Sequence, residues 1–194
     1  MSDDKNQLRS FQLYLLSKMR VAPDTLKEAL KQLQASEQDM ASAREVMSLL
    51  GFGEFAEAGK LYREILGFPE AVESLDNSMI PEVFHGSHSL RFRLPLWAGL
   101  NFVINEKPDG FIWDPMFRRA AGQQSPPLNS FVDLKPWKFV KEEVTNRFGE
   151  PKLSDSWLCW EEVYYMFPSS PRGPLQKYFL VFDYNLLQYF EVSD

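Results

Sequence analysis

The chain carries few side chains that catalyse reactions or bind metals. Cys159 is its single cysteine, and His85 and His88 are its only histidines. A nucleophilic cysteine needs a positioned base and a lowered pKa, yet both histidines lie about seventy positions before Cys159 in "FHGSHS". A zinc site needs three or four ligands, and no Cys/His cluster completes one. We therefore predict a buried thiol, two ordinary histidines, and no metal, cofactor or catalytic residue.

The neighbouring charged residues do not indicate a reaction either. Glu161 and Glu162 are adjacent in a predicted strand, where successive side chains point to opposite faces, so they cannot form a catalytic pair. Arg91 and Arg93 share a face of another predicted strand. That face is either solvated or a site for a phosphate or carboxylate group, and the sequence favours the solvated reading.

Composition limits the classes of partner. The formal net charge is −6 over 194 residues, which argues against a nucleic-acid binder and favours a basic protein partner. The N-terminus lacks the basic start and apolar segment of a secretory signal, and no apolar run is long enough to span a bilayer. With one cysteine there is no internal disulfide. These features predict a cytoplasmic protein with no membrane partner.

The type of secondary structure that positions these residues is predicted to change along the chain, from helices to strands. Residues 1–50 contain two aromatic residues, whereas residues 131–194 contain fifteen, and aromatic side chains favour strands. The early part instead has helical spacing over 4–20 and two capping-box sequences, which begin at Thr25 and Ser36. The sequence predicts a helical layer first and sheet later.

Strand signals begin near Ser89, where apolar residues alternate with arginines. The turn sequence Lys107-Pro108-Asp109-Gly110 predicts a hairpin. After a polar linker, "AAGQQSPPLNS", we predict a helix over 133–148, a strand over 157–167, and a final hairpin joined near Tyr184-Asn185. The fold class is therefore α+β.

The predicted domain organisation has three parts. A helical layer covers 1–52, a first helix–hairpin unit covers 53–122, and a second helix–three-strand unit covers 131–194; together they could also form one compact domain. In both later parts a helix ends in Gly-x-Pro, at Gly67 and Gly149. This similarity is weak at the level of residues, because Gly-x-Pro is a general helix stop.

Residues 137–194 resemble the small helix-plus-strands unit of the SmpA/OmlA and BLIP-like families. The matching residues are Phe148-Gly149-Glu150-Pro151, the aromatic strand from Trp157 to Tyr165, and Leu180-Val181-Phe182-Asp183. BLIP-like proteins carry two such units and bind and inhibit an enzyme through an exposed sheet. This chain lacks their secretion signal, their disulfides and a lipobox cysteine, so the resemblance does not imply a periplasmic role.

The layout is also similar to that of bacterial immunity proteins, which are small, acidic, cytoplasmic α+β proteins. We therefore predict a non-catalytic protein-binding module, an immunity-type inhibitor that occludes a basic cognate toxin. The alternatives are an adaptor or chaperone of a secretion system or phage particle that uses residues 1–50, and a small enzyme that uses Cys159 or the histidine loop. The predicted partner-binding residues are Glu161, Glu162, Tyr164, Tyr189 and Glu191.

Overall fold

The computed structural model describes residues 2–52, 59–157, 160–168 and 175–193. It contains an N-terminal helical part followed by two four-stranded antiparallel sheets, which confirms the α+β class. Two compact units divide the chain. The first consists of Met1–Met19 and Pro23–Pro115, and the second of Arg20–Ala22 and Met116–Asp194.

The described residues of the first unit include the helices α1 (Ser2–Lys18), α2 (Pro23–Gln32), α3 (Glu37–Leu49) and α4 (Gly59–Leu66). The predicted capping box at Ser36 is present, because its hydroxyl accepts from the Asp39 amide while the Asp39 carboxylate accepts from the Ser36 amide. The box predicted at Thr25 is wrong. α2 already begins at Pro23, whose fixed φ suits the first helical position.

The first sheet is a meander in the order β1 (Ala71–Ser74), β2 (His88–Arg93), β3 (Leu100–Glu106) and β4 (Ile112–Arg119). Its apolar face meets the helices, where the ring of Phe102 lies 5.7 Å from that of Phe11. The predicted hairpin is confirmed: the Gly110 amide donates to the Lys107 carbonyl at 2.8 Å, and Gly110 adopts φ +87°.

The second unit repeats the arrangement of a helix before a four-stranded meander. Helix α5 (Lys141–Phe148) precedes β5 (Leu153–Trp157), β6 (Trp160–Pro168), β7 (Leu175–Asp183) and β8 (Leu186–Ser193), paired in chain order. The buried apolar cluster of this unit comprises Phe131, Leu134, Phe139, Val144, Val163, Tyr165, Leu180, Phe182 and Leu187.

The predicted helix over 133–148 is too long. A short 3-10 turn occupies Phe131–Asp133, and α5 begins only at Lys141. Pro136 disfavours helical geometry in the residue before it, and Trp137 adopts φ +62°. The Trp137 amide instead donates to the Leu187 carbonyl at 2.8 Å, so this segment pairs with β8 rather than forming a helical turn.

The aromatic strand predicted over 157–167 is divided between two strands. β5 ends at Trp157 and β6 begins at Trp160. The polar sequence before Trp157, for which no strand is predicted, forms β5 at the edge of the sheet, where Ser154, Asp155 and Ser156 are exposed. In the described part of the chain, no helix is both long and apolar enough to cross a membrane.

Candidate protein-binding face

The register of the second sheet places its side chains on two different faces. Tyr164 of β6 lies opposite Phe179 of β7, which lies opposite Glu191 of β8. Glu162 is in the same way aligned with Val181 and Tyr189. These residues, with Trp160, Met166, Leu175, Lys177 and Asp183, form what we call the Tyr164 face. The opposite face, the Val163 face, carries the core side chains of the sheet.

Three rings cross the Tyr164 face from strand to strand. Tyr164 stacks on Phe179 with ring centroids 4.8 Å apart, and Phe179 meets Tyr189 edge to face at 6.0 Å. All three residues are partly exposed. Aromatic pairs in these geometries are favourable beyond the area that they bury, so the three rings form a preformed surface at little further entropic cost.

One end of the Tyr164 face is exposed and apolar. Met166 is 45% exposed and Leu175 is 58% exposed. The Lys177 ammonium lies 4.0 Å from the centroid of the Tyr164 ring, a cation–π contact that leaves the lysine itself exposed. Glu191 is also exposed, so this end combines apolar area with charges at its border.

The other end of the face holds Arg20, which comes from the connection between α1 and α2. The Arg20 guanidinium donates to Glu162 at 2.7 Å and to Asp183 at 3.0 Å, and its carbon lies 4.8 Å from the Trp160 ring centroid. It also donates to the Phe182 carbonyl at 3.3 Å. The Asp183 side chain is only 2% exposed, so this buried charge is matched by a cation from within the unit.

Burial raises the pKa of Tyr189, and the nearby carboxylate of Glu191 raises it further. Arg20 acts in the opposite direction on the same group. The Tyr189 phenol is therefore neutral at ordinary pH, and it can serve as a hydrogen-bond donor at the centre of the face.

The five predicted binding residues do not all share one surface. Glu162, Tyr164, Tyr189 and Glu191 lie on the Tyr164 face, whereas Glu161 lies on the Val163 face. The Glu161 carboxylate is held by the Lys141 ammonium of α5 at 2.6 Å. Glu161 is thus placed to tie the start of α5 to β6.

The described candidates for other chemistry, His85, His88, Arg91 and Arg93, belong to the first unit. His85 ends a 3-10 turn with Nε2 3.3 Å from the Ile80 carbonyl oxygen, and His88 begins β2; both are exposed. Cys159 lies outside the described residues. Arg91 and Arg93 pair with Glu73 and Glu70 of the same unit. Among the described residues, no group of three or more His, Cys, Asp or Glu could hold a metal ion.

Sequence reasoning missed Arg20, Phe179 and Lys177. The period-two pattern of β7 could have identified Phe179 and Lys177, because both alternate with the buried residues Leu180 and Phe182. No local signal marks Arg20. It lies 163 positions before Asp183 and looks like any basic residue at the end of a helix.

No protein-family model matches the chain, and no curated protein matches it. A crystal structure from Streptococcus mutans, of a protein provisionally described as a beta-lactamase inhibitor protein, aligns with 74% of this chain and 86% of its own. The identity is 13% and the TM-score is 0.29. Similarity at this level carries no argument about fold or function.

Proposed function

We propose that the chain is a non-catalytic protein-binding module that uses the exposed end of the Tyr164 face. The observation that carries the proposal is the row of three rings, Tyr164, Phe179 and Tyr189, which continues into exposed Met166 and Leu175. Tyrosines and other large side chains of this kind dominate the binding energy of protein interfaces. A preformed aromatic surface bordered by charge is the composition expected of such an interface.

The partner we propose is a basic protein, and specifically a bacterial toxin that the chain inhibits by covering its functional surface. The net charge of −6 favours such a partner. Exposed Glu191, and exposed Asp155 of β5, which lies opposite Glu162, bring negative charge to the Tyr164 face. Opposite charges would speed association and orient the two proteins. In this proposal the chain acts in the cytoplasm, where its single cysteine stays reduced.

The test is binding to the product of the neighbouring gene, measured by calorimetry with purified proteins. Tyr164→Ala and Tyr189→Ala should each weaken the affinity about 10- to 100-fold, the range of an aromatic hot spot. Phe68→Ala is the matched control, because Phe68 is an aromatic residue of the first unit that is 98% exposed. It should change the affinity less than twofold.

Activity supplies the second readout. Co-expression of the wild-type chain should protect cells from the toxin, and Tyr164→Ala should reduce that protection while the variant remains folded by circular dichroism. Equal protection by both chains, or a larger loss of affinity with Phe68→Ala than with Tyr164→Ala, contradicts the proposal.

An adaptor function is the second candidate, and α3 gives the observation that favours it. Val46, Leu49 and Leu50 near the end of this helix are all exposed, and Leu49 is 81% exposed. Large apolar side chains in such a group suit a helical binding partner. If Leu49→Lys abolishes binding to a partner that Tyr164→Ala still binds, the adaptor function replaces the inhibitor.

A further inference from the structure

We infer that Trp160, Glu162 and Asp183 form a binding site for a guanidinium group, a site that the chain fills with its own Arg20 and that an arginine of a partner can enter in its place. The site itself is independent of what the chain inhibits. Its use by a partner rests on the proposed function, because it adjoins the aromatic rings of the same face.

The chemistry of this guanidinium site is selective for arginine. Its planar guanidinium stacks on an aromatic ring and donates in several directions at once. Here it lies over Trp160 at 4.8 Å and donates to two carboxylates and one backbone carbonyl. An ammonium group could pair with one or both carboxylates, but it has no plane to stack on the indole ring.

The guanidinium site is more than a group of acidic side chains, because the Arg20 guanidinium already occupies it. The Asp183 carboxylate is almost completely buried and accepts from both Nε and Nη2 of Arg20, at 3.1 and 3.0 Å. Both bonds go to Oδ1, while Oδ2 accepts from the Arg20 backbone amide at 2.5 Å. Two bonds to one buried oxygen fix the direction from which a guanidinium approaches. The backbone of β7 supplies the remaining acceptor through Phe182.

Arg20 is held in a way that permits exchange. It lies in the short connection between Lys18, where α1 ends, and Pro23, where α2 begins. Withdrawal of the Arg20 side chain therefore breaks no helical turn, and the Arg20 backbone amide can keep its bond to Asp183 Oδ2. Its side chain and that of Glu162 are each about one-third exposed, at 33% and 31%, so the site can be reached from solvent.

The experiment uses the full chain and N-acetyl-L-arginine methylamide as the probe. Binding is followed through the indole N–H resonance of Trp160 and by calorimetry. Arg20→Ala should bind the probe saturably, with a dissociation constant at least tenfold lower than that of the wild-type chain, in which the site is filled. N-acetyl-L-lysine methylamide should bind at least tenfold more weakly than the arginine probe.

Two variants serve as controls. Arg147→Ala removes an arginine of the same unit that donates to the carbonyls of Leu128 and Asn129, and it should create no binding because it exposes no carboxylate. Adding Asp183→Asn to Arg20→Ala should abolish the binding that Arg20→Ala creates.

Arg20→Lys covers the case in which Arg20→Ala does not fold, because it keeps a positive charge beside Asp183. It should bind the arginine probe more tightly than the wild-type chain does. Absence of saturable binding to a folded variant overturns the inference, as does failure of both variants to fold, since Arg20 would then be a structural ion pair only. Neither result involves the toxin, so the proposed function stands or falls separately.

Discussion

The two meanders have the same strand order but different side chains on the face that lies opposite their helix-packed face. In the first sheet this face carries the buried polar residues Ser89, Asn101 and Asn105. Toward the edge strand β1, the same face carries two ion pairs, one between Arg91 and Glu73 and one between Arg93 and Glu70. In the second sheet the equivalent face carries aromatic rings.

This difference shows how one topology can serve two purposes. The two ion pairs on this face of the first sheet lie within its own unit, and the buried side chains there include the polar residues Asn101 and Asn105, whose Oδ1 atoms have no hydrogen-bond partner among the described residues. The rings of the second sheet stay partly exposed, with the Arg20 guanidinium over Trp160 at one end of the face and the Lys177 ammonium over Tyr164 toward the other. Sheet order alone therefore says nothing about binding; the residues on the second face decide it.

The largest effect should come from the two cores, and here the units should behave alike. Phe102→Ala in the first sheet and Phe182→Ala in the second each remove a ring that is 1% exposed. Each should lower the free energy of unfolding by about 3–5 kcal/mol, because a large buried side chain leaves a cavity. Urea denaturation measures both. A loss below about 1 kcal/mol for one of them would show that its sheet lacks a comparable core.

A smaller effect, which depends on pH, should come from Glu143 of the second unit. Burial alone would raise the pKa of Glu143, but hydrogen bonds from Arg119, Ser125 and the Val140 amide outweigh it and hold that pKa below its usual value. A lowered pKa stabilises the fold above the unfolded-state pKa, about 4.3, and this stability is lost as the pH falls through the folded pKa.

Glu143→Gln tests this in the second unit. The variant should lose about 1–3 kcal/mol at pH 7, since it weakens a largely buried pair with Arg119. The difference between wild type and variant should shrink below about pH 4. Urea denaturation at several pH values measures it, and a difference that stays constant down to pH 3 would contradict the assignment.

The two hairpin turns offer a finer comparison. Asn185 adopts φ +66°. Its side-chain Nδ2 donates to the Phe117 carbonyl at 3.0 Å and to the Glu142 carboxylate at 2.7 Å. Asn185→Ala should cost about 1–2 kcal/mol, through strain and lost hydrogen bonds. Gly110→Ala in the first hairpin should cost about 1 kcal/mol, through strain alone. Thermal unfolding ranks the two variants, and the reverse order would show that the Asn185 hydrogen bonds contribute nothing.

The smallest effect should come from the edge of the first sheet. Glu73 is about half exposed and pairs with Arg91. Glu73→Gln should therefore cost less than about 1 kcal/mol, and the cost should fall further at about 0.5 M salt. A loss above about 2 kcal/mol that is insensitive to salt would mean that this face is held together far more strongly than an exposed ion pair allows.

Much of the fold follows from local sequence. The capping box at Ser36 and the turn that ends at Gly110 both depend on residues within four positions of one another, and both are confirmed. Alternation alone separates Glu161 from Glu162. The division into 1–52, 53–122 and 131–194 stays a prediction, and so does the binding role of the five residues.

What could not be predicted depends on distant partners. Helical spacing around Trp137 is overridden because its amide bonds to β8, fifty positions later. The polar strand β5 forms because β6 supplies its hydrogen bonds, which no periodicity within β5 indicates. Arg20 completes the Tyr164 face from the other end of the chain. Each case is a long-range contact that outweighs a local preference.

The backbone bonds between residues 137–141 and the start of β8 have a consequence for assembly. Exposed strand edges are templates for aggregation by strand addition. Leu187 bonds to this segment through both backbone groups: its carbonyl accepts from the Trp137 amide, and its amide donates to the Phe139 carbonyl. The Asn185 carbonyl accepts from the Lys141 amide. Within the described residues, the bonds from this segment do not reach Tyr189. At the β8 edge of this sheet, an added strand from another molecule is therefore limited to the last part of β8, whereas the opposite edge, β5, has no such cover from residues 137–141.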